Sequence, residues 1–103
     1  MSVIDEFIEA CRGGHIDIVN LMISKGANDW NGGLCEACRD GHMDIIKFLI
    51  EKGADDFDNA LIIASEGGHI EIVKLMISFG ADKWDIALKE ACEGGHIEIV
   101  KLL

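Results

Sequence analysis

Gly67-Gly68-His69-Ile70-Glu71-Ile72-Val73-Lys74-Leu75-Met76-Ile77 is one of four near-copies in this chain. The others begin Gly13-Gly14-His15-Ile16-Asp17-Ile18-Val19, Asp40-Gly41-His42-Met43-Asp44-Ile45-Ile46 and Gly94-Gly95-His96-Ile97-Glu98-Ile99-Val100, at a constant spacing of 27 residues. A fixed period of roughly 20 to 50 residues marks a stacked repeat array, in which each unit buries its apolar face only against its neighbours. The architecture is therefore decided by these copies, and the remaining residues punctuate them.

Aligned by this period, the sequence resolves into columns. Phe7, Leu34, Leu61 and Leu88 form an apolar column, followed three residues on by Ala10, Ala37, Ala64 and Ala91 and then by Cys11, Cys38, Ser65 and Cys92. The i, i+3, i+4 stripe predicts a first helix (helix A) whose contact face is small enough for close packing. Gly14, Gly41, Gly68 and Gly95 follow where a helix end favours positive φ. Helix B then begins near the His of each copy. In the third copy its polar positions are confined to Glu71, Lys74 and Ser78, so it is covered on both flanks. The same spacing predicts i, i+3 ion pairs between Asp44 and Lys47, Glu71 and Lys74, and Glu98 and Lys101. Gly26, Gly53 and Gly80 close helix B, and Asn31, Asp58 and Asp85 stand where an N-cap for the next helix A is expected. The expected helices are A at 5–12, 32–39, 59–66 and 86–93, and B at 15–25, 42–52, 69–79 and 96–103.

At Gly68 to Ile77 the chain resembles the ankyrin repeat family, whose helix-B signature Gly-His-Leu-Glu-Val-Val-Lys-Leu-Leu-Leu it matches closely; the family's Gly-Ala-Asp follows at Gly80-Ala81-Asp82. The resemblance runs from about Asp5 to Leu103. It implies a single all-α ankyrin-type domain over 1–103, with repeats at 5–31, 32–58, 59–85 and 86–103, the last incomplete. The usual unit is about 33 residues. The missing six fall in the connection that forms the family's β-hairpin finger, and Asp58-Asn59-Ala60-Leu61-Ile62 lacks the Thr, Pro and His of its Thr-Pro-Leu-His. Short turns and little or no strand are expected, as in the compact ankyrin-type repeats of large DNA viruses and protists.

Composition bounds the function. The chain has 103 residues, half of them apolar, with 9 Lys and Arg against 19 Asp and Glu and a formal net charge of −10. Phosphate binding needs clustered Lys and Arg, and no basic run exists, so nucleic acid is not the expected partner. The acidity serves solubility or favours basic partners. No apolar run reaches membrane-spanning length, and Met1 to Phe7 does not read as a signal peptide. The expected address is intracellular, cytoplasmic or nuclear, and a host cell for a viral source.

Catalytic and metal readings find little support. Repeat-equivalent histidines sit on helices about 8 to 10 Å apart, whereas zinc holds nitrogen at about 2 Å; the resemblance gives them a structural role at the start of helix B. Cys35-Glu36-Ala37-Cys38 has CxxC spacing, but there is no second thiol pair, and Cys38 occupies the small-residue column. Gly32-Gly33 begins a helix without the Lys and Ser or Thr of a phosphate loop. No enzyme, cofactor or metal is expected.

Two surfaces remain as candidates. In ankyrin-like arrays, binding uses the loops and the exposed end of helix A on the concave side. By that resemblance the partner-binding residues here are Asp29, Asp56 and Lys83, with Arg12, Arg39, Glu66 and Glu93 at the helix-A ends. These columns differ between copies while the structural ones do not. Trp30, Phe57 and Trp84 form a neighbouring aromatic column that either seals the helical stack or anchors a partner. The second surface lies at the C-terminal repeat. Repeat arrays need polar caps, and Ile97, Val100 and Leu103 form an unfinished apolar face, to be covered by a second copy of the chain or by further repeats. Two functions follow as expectations: binding of another protein, or self-association into a homodimer.

Overall fold

The computed structural model describes residues 2–103 and contains eight helices, with no strand among the described residues. They are α1 (Val3–Gly13), α2 (Ile16–Ser24), α3 (Trp30–Asp40), α4 (Met43–Lys52), α5 (Phe57–Gly67), α6 (Ile70–Ser78), α7 (Trp84–Glu93) and α8 (Ile97–Leu102). The odd-numbered helices are the A helices of the repeat and the even-numbered ones the B helices. The chain divides into two compact units, one ending at Asp55 and the other running from Asp56 to Leu103. Each contains two helix-turn-helix repeats: α1/α2 and α3/α4 in the first, α5/α6 and α7/α8 in the second. Within each unit the A helices pack side by side, α1 on α3 and α5 on α7.

The glycines end the helices as the sequence predicts. Gly14, Gly41 and Gly68 adopt φ of 76°, 79° and 78° after α1, α3 and α5. That turn lets the next N–H, from His15, His42 or His69, donate to the carbonyl of Ala10, Ala37 or Ala64 at 3.0, 3.0 and 2.9 Å. Helix B repeats the device: Ala27, Ala54 and Ala81 donate to Met22, Leu49 and Met76, each at 3.0 Å, after a positive-φ glycine. These are Schellman closures, which satisfy helix-end carbonyls that would otherwise need water.

The starts of the A helices lie two residues earlier than expected. The N-cap positions are Ser2, Asp29, Asp56 and Lys83, not Asn31, Asp58 and Asp85. Ser2 Oγ accepts from Asp5 N at 3.0 Å and Asp29 Oδ1 from Gly32 N at 3.1 Å. Asn31 and Asp58 do something different. Asn31 Oδ1 accepts from the N–H of Asp55 at 2.8 Å while its amide donates to Asp55 Oδ1 at 3.1 Å; Asp58 Oδ1 accepts from Asp82 N at 2.9 Å. Each joins the entry of its repeat's helix A to the exit of its helix B, closing the open end of the hairpin.

The core follows the columns. Phe7, Leu34 and Leu61 are fully buried, and Ala37, Ala64 and Ala91 sit with no exposure where the helices approach. Packing in the first unit is tight enough that a Cβ at Gly33 would lie 3.0 Å from both Cys11 Sγ and the Phe7 ring. Of the expected ion pairs, Glu71–Lys74 and Glu98–Lys101 form at 3.6 and 3.8 Å. Asp44 is the exception: one methylene shorter than Glu, its carboxylate takes the N–H of Ile45 at 2.9 Å.

Candidate functional site

The histidine column has a structural geometry. His42 Nε2 donates to the carbonyl of Arg12 at 2.8 Å, and His96 Nε2 donates to that of Glu66 at 2.8 Å. Each ring thus reaches back to the helix-A end of the preceding repeat, and the carbonyl acceptor requires the proton on Nε2. The rings lie against glycine: a Cβ at Gly14 or Gly68 would come within 2.7 Å of the His42 or His96 imidazole. Gly14 and Gly68 therefore need both a positive φ and an absent side chain.

None of the four cysteines is in a disulfide. Burial pushes the Cys11 thiol up to about 12, with Asp29 adding to the effect; burial, then Cys35, pushes Cys38 up to about 12. A nucleophile or metal ligand needs a thiolate at neutral pH, and these sites favour the opposite form. No cluster of three or more His, Cys, Asp or Glu with metal-binding geometry occurs among the described residues.

The residues singled out for partner binding fall into two sets. In the first unit Arg12 and Arg39 converge on one carboxylate: Glu36 Oε2 accepts from Arg12 Nε at 2.9 Å and Nη2 at 2.8 Å, and lies 3.5 Å from Arg39 Nε. That hydrogen bond holds the Arg12 pKa above its ordinary value. Both arginine side chains stay nearly half exposed, leaving two cations on one anion at the helix-A ends. Glu36 did not stand out in the sequence, although its i, i+3 spacing to Arg39 is a signal for it. Asp29 is exposed beside Trp30, whose ring is half-buried and meets Phe7 edge-on at 6.0 Å.

In the second unit Asp56 is half-buried and accepts from Asn59 Nδ2 at 2.8 Å. Phe57 stacks on Phe79 with centroids 4.8 Å apart and planes 10° from parallel. Glu66, Lys83 and Glu93 are exposed, and so is Trp84, at 41%. Lys83 and Trp84 line a shallow cavity of about 230 Å³ with Asp82, Asp85 and Ile86. The aromatic column thus opens helix A, with two rings packed on other rings and the third partly exposed.

At the C-terminal repeat, columns that are closed elsewhere become open. Leu88 is 36% exposed where Phe7, Leu34 and Leu61 are at zero, and Cys92 is exposed where Cys11, Cys38 and Ser65 are buried. Ile97 is 60% exposed, while Val100 and Leu103 are half-buried.

Repeated helix-turn-helix hairpins, Schellman closures in both helices and a histidine bridging successive helix-A ends define an α-helical repeat protein. A family model described as ankyrin repeats (3 copies) matches residues 7–59 and again 34–103, and the chain belongs to the ankyrin repeat family. Comparison with curated proteins gives no match. Ankyrin repeats are generally protein–protein interaction modules and typically non-enzymatic. No described helix is long and apolar enough to cross a membrane.

Proposed function

We propose that this chain is a non-enzymatic module that binds another protein through the ends of its A helices and the connections leading into them. The supporting observation is the contrast between columns. The Ala column is buried in all four repeats, whereas Arg12, Arg39, Glu66 and Glu93 are exposed in every repeat and differ in charge. A scaffold held by identical buried residues, bearing exposed residues that vary, suits recognition, and Trp84 supplies the type of residue that dominates binding energies. Affinity capture from a cell lysate tests this reading. The wild type is compared with an Arg12→Ala, Arg39→Ala, Trp84→Ala variant whose fold is verified by circular dichroism. A prey protein held by the wild type and released by the variant is expected; a prey held equally by both contradicts the assignment.

A second reading, self-association through the C-terminal repeat, is favoured by the exposure of Leu88, Cys92 and Ile97. It predicts a dimer mass by light scattering at high micromolar concentration that reverts to monomer in Ile97→Asp. A monomer at that concentration removes it.

A further inference from the structure

The N-terminal face of the first unit carries an apolar groove that shares only Arg12 with the surface proposed above. It has a volume of about 570 Å³ and is lined by Ala10, Gly13 and Ile18 together with Glu6, Glu9 and Asp40. Ile18 is 44% exposed, although its column is closed elsewhere: Ile45, Ile72 and Ile99 are exposed by 0, 3 and 1%.

A repeat stacked on this face in the register of the array would meet a carboxylate where the other junctions have Gly or Ala. Glu6 occupies the column that is Gly33, Ala60 and Ala87 in the other copies, all of them buried. At Gly33 even a Cβ would press on Cys11 and Phe7 at 3.0 Å, so that junction has no room for a carboxylate and no water for its charge. A second copy stacking here as repeats stack within each unit would bury the Glu6 carboxylate.

What covers Ile18 must instead accept carboxylates. Glu6, Glu9 and Asp40 outnumber the single guanidinium of the groove, that of Arg12, whose charge is shared among Glu36 at 2.8 Å, Glu9 and Asp40. His15, the remaining polar group of the lining, is exposed. Lysine and arginine side chains combine an aliphatic stem with a cationic head and match a groove lined by apolar and acidic residues. The net charge of −10 steers such a partner toward the molecule.

We infer that the N-terminal groove docks a basic amphipathic segment of a partner protein, with its apolar side on Ile18 and its Lys or Arg heads at Glu6, Glu9 and Asp40. This surface goes beyond the function proposed above and is tested with different residues. The experiment is a ¹⁵N–¹H NMR titration of the full chain with a short amidated amphipathic helix of Lys and Leu, and with the same peptide carrying Glu for Lys. Shifts confined to the amides of Glu6, Glu9, Ala10, Gly13, His15, Ile18 and Asp40 are expected for the Lys peptide alone. Affinity should fall at least about tenfold in Glu6→Gln, Glu9→Gln, Asp40→Asn, and again in Ile18→Asn, the scale of a few surface charge or apolar contacts. The inference is overturned by shifts spread over the whole acidic surface, by no shifts, or by an Ile18→Asn variant that binds as well as wild type. Concentration-dependent shifts of this face without peptide also overturn it, since they assign the face to a second copy.

Discussion

Ser65 is buried with its hydroxyl unpartnered, in the column where Cys11 and Cys38 place a thiol. An unsatisfied buried hydroxyl costs about 1 to 3 kcal/mol, so Ser65→Cys or Ser65→Ala should raise the unfolding free energy by about 1 kcal/mol, read as a higher urea midpoint with an unchanged slope. Gly14 carries the opposite expectation. With φ of 76° and the His42 ring against its Cα, Gly14→Ala should destabilise by about 1 to 3 kcal/mol in the same assay. The buried thiols set an alkaline limit. The values of Cys11 and Cys38 rise from 9.0 to about 12, so the fold favours the neutral form. Their contribution is complete below pH 9 and is lost progressively as pH climbs toward 12. Denaturation at pH 7 and pH 10.5 should show a steeper alkaline loss in wild type than in Cys11→Ala, Cys38→Ala.

At the scale of the element, the closure by Asn31 and Asp58 makes a specific claim. Asn31→Ala or Asp58→Ala should each cost about 1 kcal/mol by freeing the N–H of Asp55 or Asp82, with faster hydrogen exchange at those amides. If these residues were N-caps, the exchange change would fall in the first turn of α3 or α5 instead. Ala64→Leu should overpack the helix contact and cost about 1 to 3 kcal/mol. The period, both glycine columns and the small-residue stripe made the helices and their ends legible in the sequence, because all depend on residues a few positions apart. The cap position is not legible in the sequence for a physical reason. A polar side chain two residues into a helix resembles a cap in a local window, while its real partner lies 24 residues ahead. The convergence of Arg12 and Arg39 on Glu36 was hidden in the same way, since residues 12 and 36 meet only when two repeats stack.

At the scale of the whole molecule, the candidate residues were legible as a pattern of variation and not as a site. The sequence gives no measure of exposure, and the structure separates the aromatic column into packed and open members. Trp30→Ala should therefore lower stability by about 2 to 3 kcal/mol through its contact with Phe7, whereas Trp84→Ala should leave the melting temperature nearly unchanged. Equal losses at both positions would make Trp84 a seal as well. The histidine-to-carbonyl links explain why variation is tolerated at residues 12 and 66. The array uses their backbone oxygen and leaves the side chain free for another purpose.

On the proposed reading, buried columns hold the repeats together while the exposed helix-A ends recognise a protein. Hydrogen–deuterium exchange of the full chain, alone and with its captured partner, distinguishes the two roles. New protection is expected at the helix-A ends and connections, around Arg12, Arg39, Glu66, Lys83 and Trp84, with the helix-B amides near Lys47 and Lys74 unchanged. Protection centred on the B helices, with the helix-A ends exchanging as in the free chain, would contradict it.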